Sequence, residues 1–175
     1  MASAPILLLT GPPGSGKSTV ARLVADRFDL AVCVESDWFW TTIVRGHVPP
    51  WRGEADAQNR TVLRTCSAAA ELAFGGYTVV MNGIFGPWHL DLITDELRRQ
   101  GGDVHYVVLR PSFEVALERA TSRAPLTPGI APLGDEDAIR LLWEQFQHLG
   151  PMSATSSTTA PRIPSRRRPS CGPGS

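Results

Sequence analysis

The stretch Ile6-Leu-Leu-Leu-Thr10-Gly11-Pro-Pro-Gly14-Ser-Gly16-Lys17-Ser18-Thr19 decides how the rest of the chain is read. Residues 6–9 are a short apolar run of the buried-strand type. The next nine residues, Gly11, Pro12, Pro13, Gly14, Ser15, Gly16, Lys17, Ser18 and Thr19, satisfy G-x-x-x-x-G-K-[ST]. Helical spacing follows over 17–28, with Val20, Ala21, Val24, Ala25 and Phe28 on one face. A glycine-rich loop between strand and helix can wrap its amide hydrogens around phosphate oxygens, and the helix N-terminus adds partial positive charge. In such a loop Lys17 reaches the β- and γ-phosphates and Ser18 places a hydroxyl on Mg²⁺. The plain alternative is a glycine-rich turn before a helix. Four specified positions arise by chance in well under about 1% of chains of ordinary composition.

Working outward, the 175 residues suit one domain with a real core. Lys17 is the single lysine; the other 16 of the 17 basic residues are arginines. A compact ammonium on a flexible stem suits a phosphate better than a planar fork there. The 17 acids balance the bases, which argues against a generic nucleic-acid binder. The balance hides two unlike parts. Residues 1–150 carry 13 bases and all 17 acids, whereas 151–175 carry four arginines and no acid. That tail is mostly Ser, Thr, Pro, Arg and Gly, so it reads as disordered. No apolar run approaches the ~20 residues of a membrane helix. The three cysteines, Cys33, Cys66 and Cys171, are too scattered for a disulfide framework or a metal cluster, and the expected compartment is the cytoplasm.

The body alternates strands and helices. Further strands are predicted at 31–35, 77–81 and 104–109. Helices are predicted at 38–45, 54–74, 88–100, 112–122 with Ser112 as its cap, and from a cap at Asp135 to about 149. This pattern implies a parallel sheet covered on both faces.

A phosphate loop does not choose its chemistry. With no second lysine, an N-K-x-D base-reading motif of GTPases is impossible. The 77–81 strand ends in Asn82-Gly83, not in the paired acids of a motor ATPase. A kinase needs a carboxylate near the acceptor hydroxyl. Asp37, just past the 31–35 strand, is the candidate, and it equally suits the N-cap of a helix over 38–45. Glu35 competes, as the carboxylate or as a ligand to a metal-bound water. Arg119 and Arg123 lie four apart and lead into a Pro/Gly-rich loop, 123–134, that could close over phosphates. Solvated arginines paired with Glu114 and Glu118 are the alternative. Trp38, Trp40, Trp51 and Trp88 fall at element ends and could wall an acceptor pocket. Arg60, with Arg64 on the same face, could line it. His89 reads as structural.

These segments together resemble the small P-loop phosphotransferases of the adenylate-kinase type. The similar branch includes chloramphenicol 3-O-phosphotransferase and tunicamycin-resistance proteins, with gluconate and shikimate kinases more distant. The resemblance rests on GPPGSGKST at 11–19, ESDWFW at 35–40, GYTVVMNGIFGPW at 76–88 and LRPSFEVALERATSR at 109–123. It implies a P-loop NTPase three-layer α/β/α fold with a parallel five-stranded sheet. It also implies ATP with Mg²⁺, and transfer of the γ-phosphate to a small-molecule hydroxyl acceptor. Asp37 then matches the base of that family, and Arg119 and Arg123 its lid arginines. The runner-up readings are a nucleotide-binding protein without transfer activity and a nucleic-acid 5′-hydroxyl kinase.

Two departures stand out. Asn82 occupies a position where relatives often carry Asp, and an amide neither accepts a proton nor brings charge. Relatives also continue with a fifth strand, which 151–175 does not encode, so the sheet is expected to lack its last strand. A GC-rich codon choice for residues 152–160, read one base earlier, yields Tyr-Glu-Arg-His-Val-Val-Asp-Asn-Ser, a plausible strand and turn. The expectation is that 151–175 is a frameshift product.

Overall fold

The computed structural model describes residues 4–50, 52–122 and 135–149. The tail at 151–175, Trp51, Arg123 and the Pro/Gly loop therefore lie outside the described residues.

The elements alternate as the sequence pattern implies. Strand β1 (Pro5–Thr10) leads through the phosphate loop into helix α1 (Lys17–Ala25). Strand β2 (Ala31–Glu35) runs into α2 (Asp37–Thr41). A 3₁₀ turn at Gly53–Ala55 then opens α3 (Asp56–Cys66), followed by α4 (Ala69–Phe74) and β3 (Thr78–Gly83). Helix α5 (Pro87–Arg99), β4 (Asp103–Val108), α6 (Phe113–Thr121) and α7 (Glu136–Gln145) complete the order. Helix α6 starts at the expected cap, where the Ser112 hydroxyl accepts from Val115 N–H at 3.4 Å. Asp135 caps α7 by accepting from Asp137 N–H at 3.0 Å.

One predicted helix is two. The 54–74 helix breaks at Ser67 and Ala68, because Ser67 turns back on the helix end. Its hydroxyl donates to the Arg64 carbonyl at 2.6 Å and accepts from the Gln100 side chain at 3.0 Å. The helix predicted over 38–45 is also shorter and begins one residue earlier. Ser36, not Asp37, holds its N-cap position.

The four strands are all parallel, in the order β2-β3-β1-β4. This is the open, doubly covered sheet of the three-layer α/β/α fold. The five-stranded sheet implied by resemblance is represented by four strands among the described residues, with β4 at one edge.

Strand parity sorts the side chains. Ile6 and Leu8 of β1 and Val79 and Met81 of β3 join Leu63 of α3 and Leu90, Ile93 and Leu97 of α5 in the main core. Leu9 and Val80 point to the other face, where they pack under Ala21 of α1. The same alternation sends Cys33, Glu35 and Asn82 toward α1. Their side chains meet Asn82, Arg22 and Ser18 respectively. A two-residue periodicity thus places Asn82 beside the phosphate loop.

Candidate active site

In open parallel sheets ligand crevices lie outside the carboxyl ends of the strands. Four of the sequence's chemistry-bearing positions meet there. Lys17 folds over its own loop, donating to the carbonyls of Gly11 at 3.0 Å and Pro12 at 2.9 Å and reaching Ser15 Oγ at 3.4 Å. Ser18 Oγ donates to Asn82 Oδ1 at 3.4 Å, bridging α1 to the end of β3. Asp37 begins α2 with its side chain exposed. Arg119 reaches the loop from α6, where its Nη1 lies 3.9 Å from where a Gly16 side chain would begin. Thr19 is exposed on α1, while Pro12 and Ser15 are buried beneath the loop.

The loop backbone is seated on α6. A side chain at Gly14 would run into the Ala116 carbonyl oxygen and stand 3.0 Å from Ala120 N. Gly14 and Gly16 have φ of 74° and 86°, which only glycine adopts without strain. At the far end of β1 the buried Thr10 hydroxyl accepts from Phe85 N–H at 2.8 Å, tying the loop's origin to the segment after β3.

The donor set fits Mg²⁺ brought by a nucleotide. Ser18 and Asn82 offer hard oxygens. Among the described residues no group of three His, Cys, Asp or Glu could hold a metal, so any cation there takes most of its ligands from phosphates and water. Glu35 pairs with Arg22 of α1 at 3.1 Å, and the arginine of that pair is largely exposed.

The candidate acceptor residues are more scattered. Trp38 is 67% exposed on α2, and Trp88 is 44% exposed at the start of α5. The Trp88 ring packs edge-on against Phe146, 6.0 Å away, and is thereby fixed to the end of α7. Arg60 sits on the outer face of α3 in an i,i+4 pair with Asp56 at 2.9 Å. Both charges act on His89, so this part of α3 faces the first turn of α5. Burial, aided by Arg60, holds the His89 imidazole below its ordinary range, against the opposing pull of Asp56. Trp40 departs from the pocket-wall reading: it leans on the main core and donates to Asn59 Oδ1 at 2.9 Å. Arg64 is exposed on α3. Burial pushes the Cys66 thiol up to about 12, and the Asp37 charge adds to the rise, so Asp37 acts across to the end of α3.

Two features escaped sequence reasoning. The Ser36 hydroxyl is buried without a hydrogen-bond partner, pressed over Gly83 at the end of β3. An unpaired buried hydroxyl costs on the order of 1–3 kcal/mol. The other is a cleft of about 400 Å³ between α2 and α3, lined by Phe39, Ile43, Val62 and several threonines. Phe39 lies two residues from Asp37 on α2, about 200° around the helix. The cleft's Thr42, Thr61 and Thr65 hydroxyls are spent on backbone carbonyls.

A sequence profile described as AAA domain, AAA_33, matches residues 6–136, from the first strand to the start of α7. The chain belongs to this family. Among curated proteins none matches it. Solved structures share the P-loop kinase fold. A chain of the Pnkp1/Rnl/Hen1 RNA repair complex superposes with a TM-score of 0.62 and 21% identity, over 85% of this chain and 46% of that one. This chain thus spans less than half of that neighbour's length. Shikimate kinase from Acinetobacter baumannii, in complex with shikimate, gives 0.56 and 22%, over 85% and 82% of the two chains. The tunicamycin resistance protein of Deinococcus radiodurans gives 0.54 and 24%, over 82% and 83%. At these identities the shared feature is the P-loop kinase fold, and within it this AAA_33 chain ends β3 in Asn82 and Gly83.

Proposed function

We propose that this chain is an ATP-dependent phosphotransferase that moves the γ-phosphate to a hydroxyl of a small molecule. The observation that carries the reading is the convergence of Lys17, Ser18 and Arg119 on one loop, with Asp37 just past the carboxyl end of β2 on the same edge of the sheet. ATP supplies the phosphoryl group, and Mg²⁺, when bound, offsets its charge. Gly11 to Thr19 cradle the phosphates through backbone amides. Lys17 leaves the Gly11 and Pro12 carbonyls to neutralise charge on the transferred group. Asp37 orients the acceptor hydroxyl and takes its proton. Arg119, joined by Arg123, stabilises charge on the equatorial oxygens. Trp38 and Trp88 wall the acceptor, and Arg60 stands at its rim.

The reading places the protein in the cytoplasm. No helix among the described residues is long and apolar enough to cross a membrane. The test is a screen of hydroxyl-bearing metabolites and antibiotics for ATP- and Mg²⁺-dependent phosphorylation. A labelled product that vanishes with Lys17→Ala supports the reading; nucleotide binding with no acceptor in the panel turns it toward a binding protein. The similarity to a chain of an RNA repair complex favours one second reading, a nucleic-acid 5′-hydroxyl kinase. Oligonucleotides with free 5′ ends therefore belong in the same screen.

A further inference from the structure

The two outer strands of the sheet differ. Strand β4 ends one side and carries Asp103 and His105, paired at 3.3 Å. Strand β2 ends the other side, and among the described residues it pairs with β3 alone. The Leu30 carbonyl accepts from Thr78 N–H and the Ser36 N–H donates to the Asn82 carbonyl, both at 2.9 Å, so even-numbered main-chain groups face β3. Alternation then leaves the N–H and C=O groups of Ala31, Cys33 and Glu35 on the open edge. Natural edges are blunted by lysine, proline or a bulge. Strand β2 reads Ala-Val-Cys-Val-Glu in an unbroken register, and its one charge, Glu35 at the last residue, is drawn to Arg22. Its side chains are also less covered than those of β3, which are all buried. The flanks of this edge are apolar. Helix α1 lies over β2 and β3. Its Leu23 is 61% exposed, and Leu30, which leads into β2, is 55% exposed. Cys33 is exposed on the strand itself. Helix α1 also exposes Arg22, and the chain just beyond it exposes Asp26 and Arg27, so both signs of charge accompany the apolar residues.

We infer that the β2 edge, with the flanking Leu23 and Leu30, is a docking surface for a second copy of this chain, joined antiparallel so that the two four-stranded sheets become one. An open strand pairs with an identical strand run the other way, because a two-fold axis makes the contact self-complementary. The outward main-chain groups fix the register. With Cys33 opposite Cys33 of the second copy, Ala31 falls opposite Glu35, and each outward N–H meets an outward C=O. Val32 then stands opposite Val34 on the main-core face, a β-branched cross-strand pair. Leu23 on the α1 face and Leu30 at the start of the strand come to the seam and lose water. Asp26 of one copy is available to Arg22 or Arg27 of the other. The rival occupant is the chain's own 151–175. That segment offers only Met152 and Ile163 as large apolar side chains to cover Leu23 and Leu30, and its prolines 151, 161, 164, 169 and 173 withhold ladder donors. The inference is independent of the phosphotransfer reading.

The test is sedimentation velocity on the full chain between about 1 and about 200 µM, without nucleotide. Wild type should be dimeric at the upper end and dissociate on dilution. Cys33→Lys sets like charges opposite each other across the two-fold, and Leu23→Glu puts an acid into the apolar seam. Each should raise the dimer dissociation constant at least about tenfold. Leu23→Glu, on an exposed helix position, carries the test if Cys33→Lys does not fold. The register has its own readout. In a Cys171→Ser background a short bis-maleimide should join two copies through Cys33, since Cys66 is buried, and a further Cys33→Ser should abolish the product. A wild type that stays monomeric throughout the range overturns the inference. If Cys33 of that monomer also resists maleimide, the edge belongs to the chain's own 151–175. A dimer that both variants leave intact, or one that yields no Cys33 cross-link, overturns it equally, because the contact then lies on another face.

Discussion

The phosphate side and the acceptor side of the crevice are built on different terms. The phosphate side is one continuous run, β1 to loop to α1, in which Lys17 is held by neighbours within six positions, while Asn82 and α6 brace it from outside. The proposed acceptor side draws on α2, α3 and α5, separate elements of the chain, and its candidate tryptophans Trp38 and Trp88 are largely exposed. Phosphate recognition needs a fixed array of backbone donors, so local chain geometry can supply it. Acceptor recognition needs a shape, and shape comes from how separate elements meet.

The largest expected effects divide along this line. Lys17→Ala should lower every ATP-dependent rate by at least about 10³-fold, hydrolysis and transfer alike, measured as ADP release and product formation. Asp37→Ala should lower transfer by about 10²–10³-fold while leaving ATP affinity within about twofold. Transfer at the wild-type rate in Asp37→Ala would remove that residue from the mechanism. Equal loss of ATP binding in both variants would erase the division itself.

The next contrast is between two glycines. Gly14 and Gly46 have nearly the same φ, 74° and 75°. Around Gly46 there is open space, whereas a side chain at Gly14 meets the backbone of α6. Gly46→Ala should cost about 1–2 kcal/mol from backbone conformation alone. Gly14→Ala should exceed about 4 kcal/mol, because the loop and α6 cannot both keep their places. Urea unfolding of the two variants checks the pair. Equal costs would mean that α6 does not brace the loop.

The same contrast explains what could be read from residue order. The phosphate loop, the four strands, the caps at Ser112 and Asp135 and the parallel sheet were legible because each follows from neighbours in sequence. The break at Ser67 was not, since its turn is held by Gln100, 33 residues away. The tryptophans near the crevice show the limit most clearly. Trp38 and Trp40 stand two apart in the motif, yet one is exposed and the other is bonded to Asn59 on α3. Nothing in their spacing separates them before α3 is packed. Asp37 was legible as a carboxylate at a strand end, but that Ser36 takes the cap position of α2 was not.

Trp38 offers a gentler test of the acceptor side. Because its ring is 67% exposed, Trp38→Ala should change stability by no more than about 0.5 kcal/mol. If the ring walls the acceptor, KM for the phosphorylated compound should rise several-fold with KM for ATP unchanged. A stability loss without a KM change would assign Trp38 to packing.

The smallest expected effect concerns His89, where the acceptor side meets the core. Burial is the main cause holding its imidazole below the ordinary value of 6.5, and Arg60 adds to it while Asp56 opposes. The folded protein therefore holds this proton less tightly than the unfolded chain does. Below about pH 6.5 the unfolded state binds more protons, so the His89 contribution is fully present above that pH and is lost as pH falls through the folded value. Thermal unfolding of wild type between pH 7.5 and about pH 5 should show this decline, and His89→Gln should flatten part of it. Arg60→Ala tests the cause. Removing that cation should raise the His89 titration midpoint toward its ordinary value, measured by the imidazole proton resonances, and make the decline smaller. An unchanged midpoint would show that Arg60 is a surface ion-pair partner of Asp56 and nothing more, which would take it off the acceptor rim.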